Sequence, residues 1–212
     1  MRAAGRMVLP GQERGQSRCR DKSALLRQQY SGDATTWRSW YAFLVNSDRI
    51  KTEAEALRLA LLSGLALPRD IVRWADRIIA EEPTPHIAVI DLALAVNEGA
   101  DRLVLRLSDI PGEGSHDGAI RLLLKVLLQR LDRDTDPRTV AESLYRLSRT
   151  TAWPEEQFGT EPYWLDDLCQ PETAFGGVYD REALTALREY LANHTMNVAD
   201  QFVLPVSRSA AD

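Results

Sequence analysis

The chain has 212 residues, of which 44% are hydrophobic and 27% charged, as in an ordinary globular protein. Two cysteines, Cys19 and Cys169, are too few for a disulfide framework, and no apolar run approaches the roughly 20 residues of a membrane-spanning helix. The net charge of −5 divides into +5 over residues 1–30, −2 over 31–150 and −8 over 151–212. Nucleic-acid binding depends on clustered cations, so the acidic end of the chain argues against a nucleic-acid partner. The missing apolar span argues against a membrane partner, and we expect a cytoplasmic protein by default.

The first 22 residues are basic, and no apolar stretch follows them, so they do not form a secretory signal. Their Gly, Arg, Gln and Ser content favours a flexible tail. The alternative is an extension upstream of a later start at Met7. We predict a basic tail over residues 1–22, an α-helical domain over 23–197 and a loose C-terminal tail over 198–212.

Helical patterns follow one another from residue 36. The aromatic and apolar segment Thr36–Asn46 predicts a first helix. The letters "TEAE" have the spacing of a capping box, so Thr52 is predicted to open a second helix that runs to Ser63. Gly64 fits the left-handed residue that ends such a helix.

Pro68 suits the first turn of the next helix, whose apolar residues recur at helical spacing until Pro83. Arg69, Arg73 and Arg77 follow one another at four-residue intervals along the other side. Such a stripe is able to bind phosphate or an acidic helix. Acidic residues are interleaved with these arginines, which favours a solvated face instead.

His86–Asn97 is apolar in every direction of a helical wheel, and Gly99 follows its end. A helix of this kind is typical of the centre of a domain, although a buried strand has the same pattern. Its one acid, Asp91, is either a catalytic carboxylate or a buried anchor paired with an arginine or with free backbone N–H groups. We predict the anchor, because an unpaired buried charge is too costly to keep.

The letters "WADRII…P…IDLALA", within Trp74–Ala95, resemble a pattern found in small, uncharacterised helical proteins of bacteria. Some of those resemble immunity proteins, which neutralise a partner toxin. The resemblance implies a protein-binding role. It assigns no functional residue, because the pattern contains no catalytic signature.

A short helix at Ala100–Asp109 leads through "PGEGSHDG" to an apolar helix at Ala119–Leu131, with Asp117 as its predicted cap. The loop places Ser115, His116 and Asp117 side by side, but the members of a catalytic triad meet through the fold rather than along the chain. The three histidines of the chain are scattered, so we expect no metal site.

Asp136 is predicted to cap a helix at Pro137–Arg149, and Asp180 a last helix at Arg181–Asn193. Between them lies a segment rich in proline, glycine and aromatic residues, with a short helix at Pro162–Cys169. Its rings and acids interleave: Trp153, Phe158, Tyr163 and Trp164 with Glu155, Glu156, Glu161, Asp166 and Asp167. Aromatic residues anchor interfaces and acids steer a basic partner, so these nine are the candidate interface; packing of the last helix is the alternative.

The sequence thus predicts an all-α protein with a single domain of seven or eight helices. Motifs of common enzymes, such as "HExxH", "GxSxG" and "GxGxxG" after a strand, are missing. We expect a protein-binding protein of the immunity or adaptor type, without cofactor. The alternative is a hydrolase or transferase whose residues, such as Asp91, His116 and Asp117, meet only in the fold. A structural or regulatory protein is the third hypothesis.

Overall fold

The structure, a computed structural model, describes residues 34–133, 136–169 and 181–195, with side chains from residue 47 onward. Over these ranges the chain forms nine helices and no strand, which confirms the all-α prediction. They are α1 (Ala34–Leu62), α2 (Pro68–Glu81), α3 (Ile87–Ala93), α4 (Ala100–Ser108), α5 (His116–Asp132), α6 (Pro137–Thr150), α7 (Glu155–Phe158), α8 (Glu161–Leu168) and α9 (Arg181–Thr195).

The chain divides into two compact units, Met1–Phe43 and Leu44–Asp212. Of the first unit only the helical backbone of residues 34–43 is described, and all described side chains belong to the second. Both predicted boundaries, at residues 22/23 and 197/198, lie outside the described residues, and so does the predicted cap Asp180.

Helix α1 is continuous where the sequence predicted two helices. Thr52 does not cap a helix: its hydroxyl donates to the carbonyl of Asp48, one turn earlier, at 2.8 Å. The capping-box prediction is wrong because a threonine that bonds the preceding turn is tolerated inside a helix. The predicted end is confirmed. Gly64 has a φ of 74°, and the N–H of Leu65 donates to the carbonyl of Ala60 at 2.7 Å.

Helix α5 lies at the centre of the second unit. Its apolar side chains are buried nearly all round, and it packs against α9 and α6. The sequence predicted this central place for His86–Asn97. That prediction is wrong, because α3 is only seven residues long and lies against α2 and α4 at the periphery.

The outer side of α3 is open to solvent. Val89 and Leu92 face the core, whereas Ile87 and Leu94 are 61% and 77% exposed. Asp91 is also exposed, so it is not a buried anchor. An apolar helical wheel predicts burial only when neighbouring helices cover every side, and α3 has too few neighbours for that.

The glycine-rich loop before α5 binds to α1. The N–H of Glu113 donates to the carboxylate of Asp48 at 2.7 Å, and the N–H of Ser115 donates to the hydroxyl of Thr52 at 3.1 Å. Ser115 caps α5 by accepting from the N–H of Gly118 at 2.9 Å. The cap is therefore Ser115 rather than the predicted Asp117, and α5 begins at His116.

Replacing Gly112 with alanine should destabilise this loop by about 2 kcal/mol. Gly112 has a φ of 128°, and a Cβ atom there would lie 2.8 Å from the backbone oxygen of Ser47. Gly99 is the matched control, because its φ is −72° and a Cβ atom would meet nothing within 4 Å. Urea unfolding of Gly112→Ala and Gly99→Ala measures the difference. Equal free energies of unfolding for the two variants would contradict the close approach of loop and helix.

Helices α6 to α9 complete the second unit. Pro137 begins α6, and Asp136 caps it as predicted by accepting from the N–H of Thr139 at 3.4 Å. Helix α8 packs on α6, and α9 packs on α5 and α8. No helix in the described ranges is long and apolar enough to span a bilayer.

Candidate functional site

The aromatic and acidic segment over residues 153–167 has a buried half and an exposed half. Phe158 is fully buried, and its ring centre lies 5.3 Å from that of Trp153 and 5.5 Å from that of His194. The guanidinium carbon of Arg121 lies 5.0 Å from the centre of the Phe158 ring. Phe158 therefore belongs to the core and offers no surface to a partner.

Polar contacts fix the backbone around this buried half. The indole N–H of Trp153 donates to the carbonyl of Gly159 at 3.0 Å, and the hydroxyl of Tyr190 donates to the carbonyl of Phe158 at 2.8 Å. Burial raises the pKa of Tyr190 above its usual value. Burial also lowers the pKa of His194, and the nearby charge of Arg121 lowers it further. Both groups are thus held in neutral forms suited to packing.

One side of helix α8 packs against the rest of the second unit. Pro162 and Leu165 are buried, and the half-buried ring of Tyr163 meets Tyr145 of α6 edge to face, with centres 6.2 Å apart. Two acids of the candidate set, Glu161 and Asp166, are partly buried beside these residues. This side fixes the position of α8 on the domain.

The other side of α8 faces solvent. Trp164 is 44% exposed, and Leu168, one turn later, is 43% exposed. The carboxylates of Asp167, Glu155 and Glu156 are exposed as well. These five residues are called the α8 surface below. Trp164, Asp167 and Leu168 share this side of α8, whereas Glu155 and Glu156 are exposed acids of the preceding helix, α7. Leu168 is the member that the sequence did not predict.

The residues named for an enzyme site have separate surroundings. The ring of His116 contacts a carboxylate oxygen of Glu55 at 3.3 Å through Nδ1 and the carbonyl of Ala152 at 3.2 Å through Nε2. In the described part of the chain, no hydrogen bond or ion pair joins His116 to Asp91 or Asp117. His116 therefore joins α5 to α1 and to the segment after α6.

The charge of the Glu55 carboxylate is paired with that of a basic neighbour. Arg58 donates two hydrogen bonds to its carboxylate, at 2.6 and 2.7 Å. These bonds are the main reason why the pKa of Glu55 lies below its ordinary value. A carboxylate engaged in this way is suited to holding helices together rather than to accepting a proton from a substrate.

Sequence reasoning missed a carboxylate that is buried in the fold, that of Glu53. It accepts from the indole N–H of Trp74 at 2.8 Å, from Arg77 at 2.9 Å and from Arg49 at 3.2 Å. Glu53 occurs one or two helical turns before the buried residues Leu57 and Ala60, and this spacing places it on the apolar face of α1. That signal was concealed by the assumption that a helix begins at Thr52.

The arginine stripe of α2 is largely engaged within the chain. Besides Glu53, Arg77 contacts Glu81 at 3.7 Å, and Arg73 contacts Asp70 at 3.9 Å. The prediction of a face balanced by its own acids agrees with these contacts. The pairing of Arg77 with Glu53 adds a structural role that was not predicted.

Among the described residues, no group of three or more histidine, cysteine, aspartate or glutamate side chains is arranged to hold a metal ion. Cys169 is buried, and its burial raises the pKa of the thiol to about 11, so little of it is the reactive thiolate near neutral pH. Comparisons of the chain with protein-family models, with curated proteins and with solved structures found no match.

Proposed function

We propose that the chain is a protein-binding protein of the immunity or adaptor type, and that the α8 surface binds a partner with a basic face. The observation that carries the proposal is a half-exposed tryptophan near a half-exposed leucine and an exposed aspartate on one side of α8, in a segment rich in exposed acids. Tryptophan is enriched among the residues that dominate binding energy, because it buries a wide apolar area and keeps a polar edge.

Trp164 stands on an anchored helix, which limits the conformational entropy lost when a partner binds. Helix α8 is anchored by the burial of Leu165 and by the contact of Tyr163 with Tyr145. The ring therefore stands on a fixed helix rather than on a loop, and little backbone has to be ordered when a partner arrives.

The charge of the part of the chain that contains Trp164 indicates the kind of partner. Glu155, Glu156 and Asp167 are exposed, and residues 151–212 carry a net charge of −8. Such a surface attracts a basic protein and repels an acidic one. A toxin with a basic domain is one partner of this kind. The immunity type itself rests on the resemblance over Trp74–Ala95 and on the missing catalytic motifs, and no contact of Asp91, His116 or Asp117 favours the enzyme alternative.

Trp164→Ala should weaken partner binding by about 2 kcal/mol or more, which is roughly a 30-fold loss of affinity. The tagged chain is used to capture its partner from the native cell, mass spectrometry identifies the captured protein, and calorimetry then gives the affinity of each variant. Leu62→Ala is the matched control, because Leu62 is 45% exposed at the end of α1. Equal affinities of Trp164→Ala and Leu62→Ala for the partner would refute the α8 surface as the binding face.

Neutralising Glu155 and Glu156 together, as glutamines, should mainly slow association. Their carboxylates attract a basic partner over a distance. At a salt concentration of 0.1 M this attraction is largely screened beyond about 10 Å. Stopped-flow mixing at two salt concentrations therefore separates this effect from the loss of contact in Trp164→Ala. An association rate that is independent of salt in the wild type would contradict electrostatic steering.

A further inference from the structure

The last turn of α9 lies against side chains from α5, α7 and α8. The ring centre of His194 is 4.6 Å from that of Tyr190 and 5.5 Å from that of Phe158. Arg121 of α5 donates from Nη1 to the carbonyl of His194 at 2.9 Å. Glu161, the first residue of α8, is close enough for its charge to act on the His194 ring. These five residues are called the His194 cluster below.

The turn between α7 and α8 contacts α9 through two residues. The hydroxyl of Tyr190 donates to the carbonyl of Phe158 at 2.8 Å, and the Phe158 ring packs against His194, one turn further along α9. Gly159 follows in the turn with a φ of 67°, and the indole of Trp153 donates to its carbonyl at 3.0 Å. The His194 contact, unlike that of Tyr190, is made by rings alone. A change in the charge of His194 therefore acts directly on it.

The surroundings of His194 favour the neutral form of its ring. Neither ring nitrogen bonds to a described residue, so the two N–H groups of an imidazolium would find no acceptor among them. The Phe158 ring, whose face attracts cations, already contacts the guanidinium of Arg121. Burial lowers the pKa of His194 most, the charge of Arg121 lowers it further, and the carboxylate of Glu161 raises it in part.

The titratable and charged groups that face His194 come from three helices. Helix α5 contributes Arg121, and α8 contributes Glu161, whose Oε2 is buried without a hydrogen-bond partner among the described residues. Helix α9 itself contributes Tyr190, which burial keeps neutral by raising its pKa. Helix α7 contributes the uncharged Phe158, and α6, which also contacts α9, places no charge on the ring. A proton on His194 thus meets a repulsion from Arg121 that Glu161 offsets only in part.

We propose that protonation of His194 releases the last turn of α9 from the α7–α8 turn, which gives the second unit a pH-sensitive contact. Histidine changes its charge between about pH 5 and pH 8, and the end of a helix opens more readily than its middle. The folded chain binds this proton less readily than the unfolded chain does. The contact therefore contributes its full stability above the ordinary histidine pKa of about 6.5 and loses it as the pH falls through the lower pKa of the folded state. This contact belongs to the unbound chain and does not depend on the function proposed above.

The test is hydrogen exchange of the full, unbound chain at about pH 8 and pH 5, with each rate divided by the intrinsic rate of its amide. In the wild type, acid should lower the protection of the last turn of α9 and of residues 157–159 at least about fivefold more than that of Leu123 in the core of α5. His194→Phe keeps a ring but cannot be protonated, so this difference should disappear. His86→Gln is the matched control, because His86 is exposed and caps α3, and it should behave like the wild type.

Two further substitutions should change the acid-induced loss of protection in opposite directions. Arg121→Gln removes the charge that repels a protonated His194 and should reduce the loss about twofold. Glu161→Gln removes the charge that attracts it and should increase the loss about twofold. A general loosening of the packing would increase the loss in both variants, so the opposite signs identify an effect of charge on His194.

Two results would each overturn the proposal. The first is an equal acid-induced loss in His194→Phe and the wild type, which would assign the loss to another group. The second is a change in the same direction for Arg121→Gln and Glu161→Gln. Circular dichroism verifies that each variant is folded at both pH values. If His194→Phe does not fold, the two charge variants decide the question alone.

Discussion

Glu53→Ala is expected to destabilise the protein by about 3 kcal/mol, although Glu53 lies far from the α8 surface in sequence. The side chain of Glu53 is 5% exposed and joins α1 to α2 through Trp74 and Arg77. Its removal leaves the buried indole N–H without an acceptor, which costs about 1–3 kcal/mol. It also leaves Arg77 and Arg49 without their shared anion.

The exposure of the two arginines sets the size of the effect. Their side chains are 30% and 34% exposed, so water compensates part of the lost pairing, and the cost lies at the lower end of the range for buried pairs. Glu53→Gln keeps an acceptor for the indole and should lose about half as much. Glu81→Ala is the control, because Glu81 is 44% exposed and its contact with Arg77 is long, at 3.7 Å. Urea unfolding that gives Glu53→Ala and Glu81→Ala the same stability would contradict the role of Glu53.

Phe158→Ala is expected to cost about 4 kcal/mol of unfolding free energy, the typical loss for a large ring removed from a core. The ring is fully buried between Trp153, His194 and the guanidinium of Arg121. Its loss leaves a cavity at the place where α7 and α9 meet. The contact between these two helices should therefore weaken first.

Trp164→Ala provides the comparison within the same segment. Trp164 is 44% exposed, so its removal should cost about 1 kcal/mol of stability. Thermal and urea unfolding of Phe158→Ala, Trp164→Ala and wild type measure both effects. A loss in Trp164→Ala as large as that in Phe158→Ala would show that the whole segment is packing and that α8 offers no free ring.

The helical class and most helix ends followed from the sequence because they depend on local signals. Gly64 ends α1, Pro68 begins α2 and Asp136 caps α6, each through a backbone preference or hydrogen bond within a few residues. Thr52 shows the limit of such signals. A threonine hydroxyl is able to cap a helix or to donate to the preceding turn. Whether the residues before it are helical decides which of these bonds forms.

Burial could not be predicted in the same way, because it depends on which elements become neighbours. The apolar wheels of α3 and α5 look alike in sequence, yet α5 is covered on nearly every side and α3 exposes Leu94. The prediction therefore placed a buried acid at Asp91, whereas Asp91 is exposed and the described acids that the fold buries are Glu53 and Asp70. In the candidate interface, interleaved rings and acids indicated a surface, but Phe158 lies in the core, Trp153 and Tyr163 are partly buried, and Trp164 is the exposed ring of the four.

The most direct test of the protein-binding proposal is hydrogen exchange of the chain with and without its captured partner. On this account the amides of Glu161–Leu168 exchange at least about tenfold more slowly in the complex, because a bound partner suppresses the local opening of α8. The amides of α2 and α4 should exchange at unchanged rates when the chain concentration is held constant. Unchanged exchange over Glu161–Leu168, with protection elsewhere in the chain, would contradict binding at the α8 surface.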